Sequence, residues 1–251
     1  IYDLEEHSMT RKEFTAKYGR ILLPLVTPFG KDEEIDYKVY GDLIEYLIKN
    51  DLCDSLIVTG TTGEASLLTF DERVKLMETA VKTAAGRKPV IAGTGCASTK
   101  ETIALTNKAV DLGIETCLVV CPFYNKPTQE GLYRHFKTIA DSTDMPIILY
   151  NIPGRCSINM EGDTTLRLAH NCDNVVAIKE ASGNFEQIKY IIDNAPAGFD
   201  VYSGDDSSTL DIMELGGVGV ISTIGNVAPD RMKAIVDLAA KGEWDAAREA
   251  N

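Results

Sequence analysis

Histidine is scarce in this chain of 251 residues, which carries only His7, His135 and His170. They are scattered between the N-terminus and helical segments, so a histidine-rich metal site or a Ser-His-Asp triad has little to build on. Cations are also short. Lysine and arginine number 25 against 38 acidic residues, a net charge of −13. Such a surface repels phosphodiester backbones and anionic lipid, which excludes nucleic acid and membrane surfaces as expected partners. No apolar stretch approaches the ~18–20 residues that span a bilayer, and no h-region with a small-residue cleavage site opens the chain. The six cysteines (Cys53, Cys96, Cys117, Cys121, Cys156 and Cys172) form no CxxC pair. Several sit in apolar runs, where reduced cysteine acts as a small hydrophobe, so a reducing cytoplasm is expected. Neither GxGxxG nor a Ser/Pro/Gly-rich linker is present.

What is present is an ordinary globular composition, 44% hydrophobic and 25% charged, in a length that suits one large α/β domain. Short apolar runs fall at residues 21–26, 55–58, 89–92, 116–120, 146–150, 175–179, 200–203 and 218–222. Between them, helical spacing of apolar residues covers 37–49, 71–84, 99–112, 129–140, 164–169, 185–193, 207–215 and 229–241. Eight alternations of this kind predict a (β/α)8 TIM barrel; a doubly wound sheet is the alternative. Residues 1–18 read as a leader, with 1–8 ahead of Met9 set aside as foreign to the fold. Residues 19–241 read as the barrel, and 242–251 as the start of a truncated C-terminal helical region.

In such a barrel the chemistry sits at the C-terminal strand ends. These read "VTPF", "TGTTGE", "GTG", "CPFYNKP", "YNIPGR", "IKEASGN", "SGDD" and "ISTIGN". Lys179 ends an apolar run and is placed at the mouth, where partial burial favours the neutral amine that adds to a carbonyl. The alternative is a lysine snorkelling to solvent or paired with Glu180. Tyr150, Tyr124 and Thr61 come from three other strand ends and supply hydroxyls able to relay protons, although each tyrosine could instead pack the mouth. The backbone N–H groups and hydroxyls of "GTTGE" suit a carboxylate, as does the fork of Arg155; a tight turn and a solvated arginine are the structural alternatives. Asp205 and Asp206 read as a polar turn that bonds backbone, ahead of a divalent-ion site or an acid/base pair. His135 and His170 read as helix-surface residues.

As a set, "GTTGE", "GTG", "PFYNKPTQEGLYRHF", "YNIPGR", "IKEASGN" and "SGDD" resemble the Schiff-base class I aldolase superfamily of N-acetylneuraminate lyase and dihydrodipicolinate synthase, most closely the latter family. The likeness runs from about Gly19 to Trp244. It implies that Lys179 forms an imine with pyruvate, which adds as an enamine to L-aspartate-4-semialdehyde to give 4-hydroxy-tetrahydrodipicolinate, on the route to lysine and diaminopimelate. It implies no cofactor and no metal. In the resembling family, the residue matching Tyr150 is the acid/base beside the lysine, and those matching Thr61 and Tyr124 complete a relay. Tyr124 would be supplied across a tight dimer interface, within a homodimer or homotetramer. Thr62 matches the holder of the pyruvate carboxylate, Arg155 that of the semialdehyde carboxylate, and Gly204 and Ile221 match backbone carbonyls lining the pocket.

Two departures from the family stand out. Phe123 replaces a tyrosine, and the family's C-terminal helical extension is nearly all missing. Some members bind lysine in a polar cleft beside the relay tyrosine. The positions lining it are here Ala65, Phe70, Arg73, Ala97 and Phe123, with Glu101 retained, so insensitivity to lysine is expected. A related aldolase acting on N-acetylneuraminate or 2-keto-3-deoxygluconate is the rival enzyme, and a catalytically silent barrel acting as a sensor or scaffold is the rival outside enzymes.

Overall fold

Apolar runs too short for helices and without polar alternation suit strands buried on both faces of a parallel sheet. In the computed structural model, which describes residues 14–251, they become β1 (Ile21–Pro24), β2 (Ser55–Val58), β3 (Val90–Gly93), β4 (Cys117–Val120), β5 (Ile147–Asn151), β6 (Val175–Glu180), β7 (Asp200–Ser203) and β8 (Gly219–Ile221). Each strand pairs with the next in sequence, all parallel, and β1 pairs with β8 through Ile21–Val220 and Leu22–Ile221 to close the barrel. The fold is the (β/α)8 TIM barrel.

The helices are α1 (Phe14–Tyr18), α2 (Tyr37–Lys49), α3 (Phe70–Ala84), α4 (Thr99–Asp111), α5 (Gln129–Ala140), α6 (Pro153–Cys156), α7 (Gly162–Asn171), α8 (Phe185–Asn194), α9 (Thr209–Glu214), α10 (Pro229–Ala240) and α11 (Trp244–Ala250). Their starts are set locally. Asp36, Ser98, Thr128 and Asn184 cap α2, α4, α5 and α8 by accepting from backbone N–H groups. Thr69 and Glu72 form a capping box on α3. Each cap satisfies donors that the helix itself leaves free. No helix among the described residues is long and apolar enough to cross a membrane.

One apolar layer lies between strands and helices, and a second fills the barrel with Leu22, Ile57, Ile91, Leu118, Ile148 and Val176 among others. Phe14 and Tyr18 of α1 belong to the inner layer. They stack at 4.6 Å between ring centroids, and Phe14 meets Tyr202 edge-on at 6.3 Å. Thus the last residues of the span read as a leader stopper the end of the barrel opposite the site. Residues 1–8, with His7, and Met9 lie outside the described residues.

His135 differs from expectation. It is 7% exposed rather than on the helix surface. Its Nδ1 lies 2.8 Å from Thr99 Oγ1, and its ring meets Phe136 edge-on at 5.1 Å. Burial holds the imidazole down to about 4 from 6.5. His170 is exposed, as expected. All six cysteines are buried, and none forms a disulfide among the described residues.

Candidate active site

The placement of the lysine begins with a bulge. Between β5 and β6 the register shifts, so that Ile147 pairs with Val175 but Ile148 with Ala177. Because side chains alternate between faces, one extra residue reassigns every later position. Past the shift, Tyr150 pairs with Lys179 and Asn151 with Glu180. Ala177 and Tyr150 join the inner layer, whereas Ile178 and Leu149 join the outer one. Lys179 therefore enters the barrel and Glu180 turns out beneath the helices. The two do not pair. Glu180 instead accepts from Ser182 N at 2.8 Å and from Asn151 Nδ2 at 3.1 and 3.2 Å.

Lys179 is 3% exposed, and its Nζ lies 4.4 Å from the centroid of the Tyr150 ring. Burial holds its amine down to about 8 from 10.5; the Asp206 carboxylate opposes that fall and the Arg155 guanidinium adds to it. Tyr150 is buried, which pushes its phenol up, against the Arg155 charge and a hydrogen bond with the Thr61 hydroxyl. The phenol is consequently protonated near neutral pH and available to donate.

Thr61 and Thr62 occupy a 3-10 turn, Thr61–Gly63, after β2. The turn spends the N–H groups of Gly63, Glu64 and Ala65 on carbonyls of Gly60 and Thr61. Those three donors are therefore not free to cradle an anion. Thr62 Oγ1 lies 3.4 Å from Thr223 Oγ1, which brings the ends of β2 and β8 together. The backbone just before the turn is strained, because Thr59 has φ 55, a left-handed value costly for a β-branched residue. Gly93 accommodates it: a Cβ there would lie 2.6 Å from Thr59 O. Gly204 permits a similar approach to the lysine, since a Cβ on it would lie 3.1 Å from Lys179 Cγ and 2.7 Å from Ala181 Cβ. Ile221 is buried at the end of β8, in the inner layer.

A cleft of about 420 Å³ opens beside these groups, with Thr61, Tyr150 and Arg155 among its lining residues and Arg73, Cys96 and Glu101 lining it as well. Arg155 sits on the one-turn α6 and is exposed. Tyr124 is not brought into the group. It is 91% exposed with φ 74, and only its neighbour Phe123 lines the cleft.

Asp205 and Asp206 bond backbone. Asp205 Oδ1 accepts from Ser207 N at 3.0 Å, and Asp206 Oδ2 accepts from Thr223 N at 3.2 Å and Ile224 N at 2.9 Å. The other Asp206 oxygen is buried without a protein partner. Its charge on Lys179 escaped the sequence reading, although its place two residues beyond Gly204 was a usable signal. Among the described residues no group of three or more His, Cys, Asp or Glu is placed to hold a metal ion.

An amine held down to about 8, and so more readily deprotonated than a free lysine, beside a protonated phenol and a hydroxyl can add to a carbonyl and move the protons that addition requires. This is the equipment of an amine-dependent carbon–carbon lyase or synthase built on a (β/α)8 barrel. The chain belongs to the dihydrodipicolinate synthetase family, whose sequence profile matches residues 17–251. It is 48% identical over 229 residues to 4-hydroxy-tetrahydrodipicolinate synthase 1 of Halalkalibacterium halodurans, covering 91% of this chain and 77% of that one. The crystal structure of dihydrodipicolinate synthase from Aquifex aeolicus superposes with a TM-score of 0.89 at 47% identity, covering 92% of this chain and 78% of the other. That of the Cyanidioschyzon merolae enzyme with lysine bound gives 0.90 at 41% identity, covering 93% and 79%.

Proposed function

We propose that the chain condenses pyruvate with L-aspartate-4-semialdehyde, the reaction of a 4-hydroxy-tetrahydrodipicolinate synthase, with Lys179 as the nucleophile. The observation that carries the assignment is the Lys179 amine, enclosed at the end of β6 and held down to about 8 beside the Tyr150 ring. The neutral amine adds to the ketone carbon of pyruvate. Tyr150, with Thr61 next to it, protonates the departing hydroxyl, and water leaves as the imine forms. Loss of a methyl proton gives the enamine, whose terminal carbon attacks the semialdehyde aldehyde. The substrate's own amino group then displaces Lys179, which frees the enzyme and closes the ring.

Thr62 is assigned to the pyruvate carboxylate and Arg155 to the semialdehyde carboxylate, with Gly204 and Ile221 lining the pocket through backbone carbonyls. Tyr124 completes the relay from a second copy of the chain. Its exposure and left-handed φ, with no place in its own chain's cleft, support that role. A homodimer or homotetramer is therefore the working assembly, and six buried thiols suit a reducing cytoplasm.

Borohydride added with pyruvate should trap a covalent adduct on the peptide containing Lys179. Labelling of another lysine, or none in active protein, rejects the mechanism.

A further inference from the structure

Arg155 recognises the second substrate in the reading above, yet it is exposed and sits on the single turn of α6. Among the described residues no ion pair fixes its guanidinium. Its aim must come from the backbone beneath it. That backbone is a tight turn in which Arg155 N and Cys156 N both donate to Ile152 O, at 3.1 and 3.0 Å. What anchors the two ends of the turn is a ladder of side-chain amides. Met160 N donates to Asn151 Oδ1 at 2.9 Å, and Asn151 Nδ2 donates to Asn159 Oδ1 at 2.8 Å, so residues on either side of the turn are tied to each other. Gln187 of α8 extends the ladder: Asn159 Nδ2 donates to its Oε1 at 2.8 Å, and its Nε2 donates to Met160 O at 3.2 Å. Gln129 of α5 holds the outer side, donating to Asn159 O at 2.8 Å.

The ladder ends on a buried carboxyl, which burial pushes up against the donors that Ser182, Asn151 and Gln187 supply. Glu180 is fully buried and takes donors from Asn151, Ser182 and Gln187, the last at 3.3 Å, and among the described residues no cation is bonded to it. A buried carboxylate is tolerated when several donors converge on it, and in return it fixes which way each amide faces. Its backbone oxygen also accepts from Gly204 N at 2.8 Å.

We propose that Glu180 is a positioning residue for the second half-reaction: through Asn151, Asn159 and Gln187 it clamps the 152–158 turn and so aims Arg155 at the carboxylate of the aldehyde substrate. The proposal rests on the role given to Arg155 above. It separates two adjacent residues of one strand by task, Lys179 for the ketone and Glu180 for selection of the aldehyde.

The test uses the full-length chain carrying Glu180→Gln, which keeps the shape but turns one acceptor into a donor facing donors, and Gln187→Leu, which leaves the carboxylate and cuts the ladder at its half-buried rung. Hydrogen exchange followed by mass spectrometry should accelerate in peptides spanning 152–160 in both variants. The KM for the semialdehyde should rise about tenfold in Glu180→Gln, as expected for one charge-assisted contact misplaced, while the rate of pyruvate trapping on Lys179 stays within about twofold. In an Arg155→Ala background the added effect of Glu180→Gln on KM should vanish. Unchanged exchange at 152–160 in both variants overturns the clamp, and so does pyruvate trapping that falls as far as semialdehyde use. Should Glu180→Gln fail to fold, Gln187→Leu carries both arms. If Arg155→Ala leaves semialdehyde use intact, the substrate assignment fails, while the exchange measurement still decides the clamp.

Discussion

Replacing Lys179 by methionine should abolish turnover and stabilise the protein at the same time. The side chain is enclosed, and methionine has a similar length and unbranched shape, so packing is largely kept. In the folded chain the amine titrates at about 8, against 10.5 when free. The sign follows from proton counting. Between these values the unfolded chain binds a proton that the native state does not, so native stability rises with pH across that window and carries the full penalty below about 8. At about 1.4 kcal/mol for each tenfold step, the penalty at pH 7 is ~3 kcal/mol, falling to ~2 kcal/mol at pH 9 and below ~1 kcal/mol at pH 10. Urea unfolding of both proteins at fixed concentration should therefore show the variant ahead at pH 7 by up to this amount, with the gap closing towards pH 10. A variant no more stable at pH 7, or one whose advantage is the same at pH 7 and pH 10, would mean that the amine is not strained by its surroundings.

Three further outcomes follow from the site and the helices around it. Arg155→Ala should cost roughly 1.5–3 kcal/mol in the specificity constant for the semialdehyde while pyruvate trapping survives; equal loss in both assays assigns Arg155 wrongly. L-lysine at low millimolar concentration should not inhibit. The Arg73 guanidinium that lines the cleft is only 5% exposed and already committed to Gly93 O at 2.8 Å and Cys96 Sγ at 3.0 Å, and the Ala65, Ala97 and Phe123 that line it offer no polar side-chain groups; saturable inhibition below millimolar in a steady-state assay would refute this. His135, with its imidazole near 4 when folded, should make the protein lose stability as pH falls from about 6.5 to about 4, because only the unfolded chain takes up that proton. A His135→Leu variant should show a shallower loss over that range in urea unfolding, and an unchanged slope contradicts the assignment.

Buried parallel strands announce themselves by uninterrupted apolar runs, which is why their ends were legible to within one residue, apart from β1, which stops at Pro24, two residues early. Capped helices such as α2 and α5 were legible in full. The short α6 was not, because Pro153-Gly154 reads as a loop and one turn has no periodicity to detect. His135 was misplaced although its position is informative: with Leu132, Phe136 and Ile139 it completes a helical stripe, and its polar character masked the spacing. The amine at Lys179 could be read because its neighbours in sequence are apolar. Tyr150 was named as a strand-end hydroxyl, but the pairing that sets it against Lys179 and the partners of Glu180 could not be read. Tyr150 stands beside it only through the bulge at Ile147–Ile148, and Glu180 meets Asn151 across 29 residues of chain. Such pairings depend on register, which composition does not encode.

The closing pair of the barrel also sets a schedule for synthesis. β1 hydrogen-bonds to β8, so its outer edge has no partner until the chain has grown from Ile21 past Ile221. At ~5–20 residues per second that interval lasts roughly 10–40 s. Throughout it an apolar edge stands open to pairing with other nascent chains. Strands of only three or four residues at that seam and its neighbours, β8 with three and β1 with four, give an intruding chain little length to template.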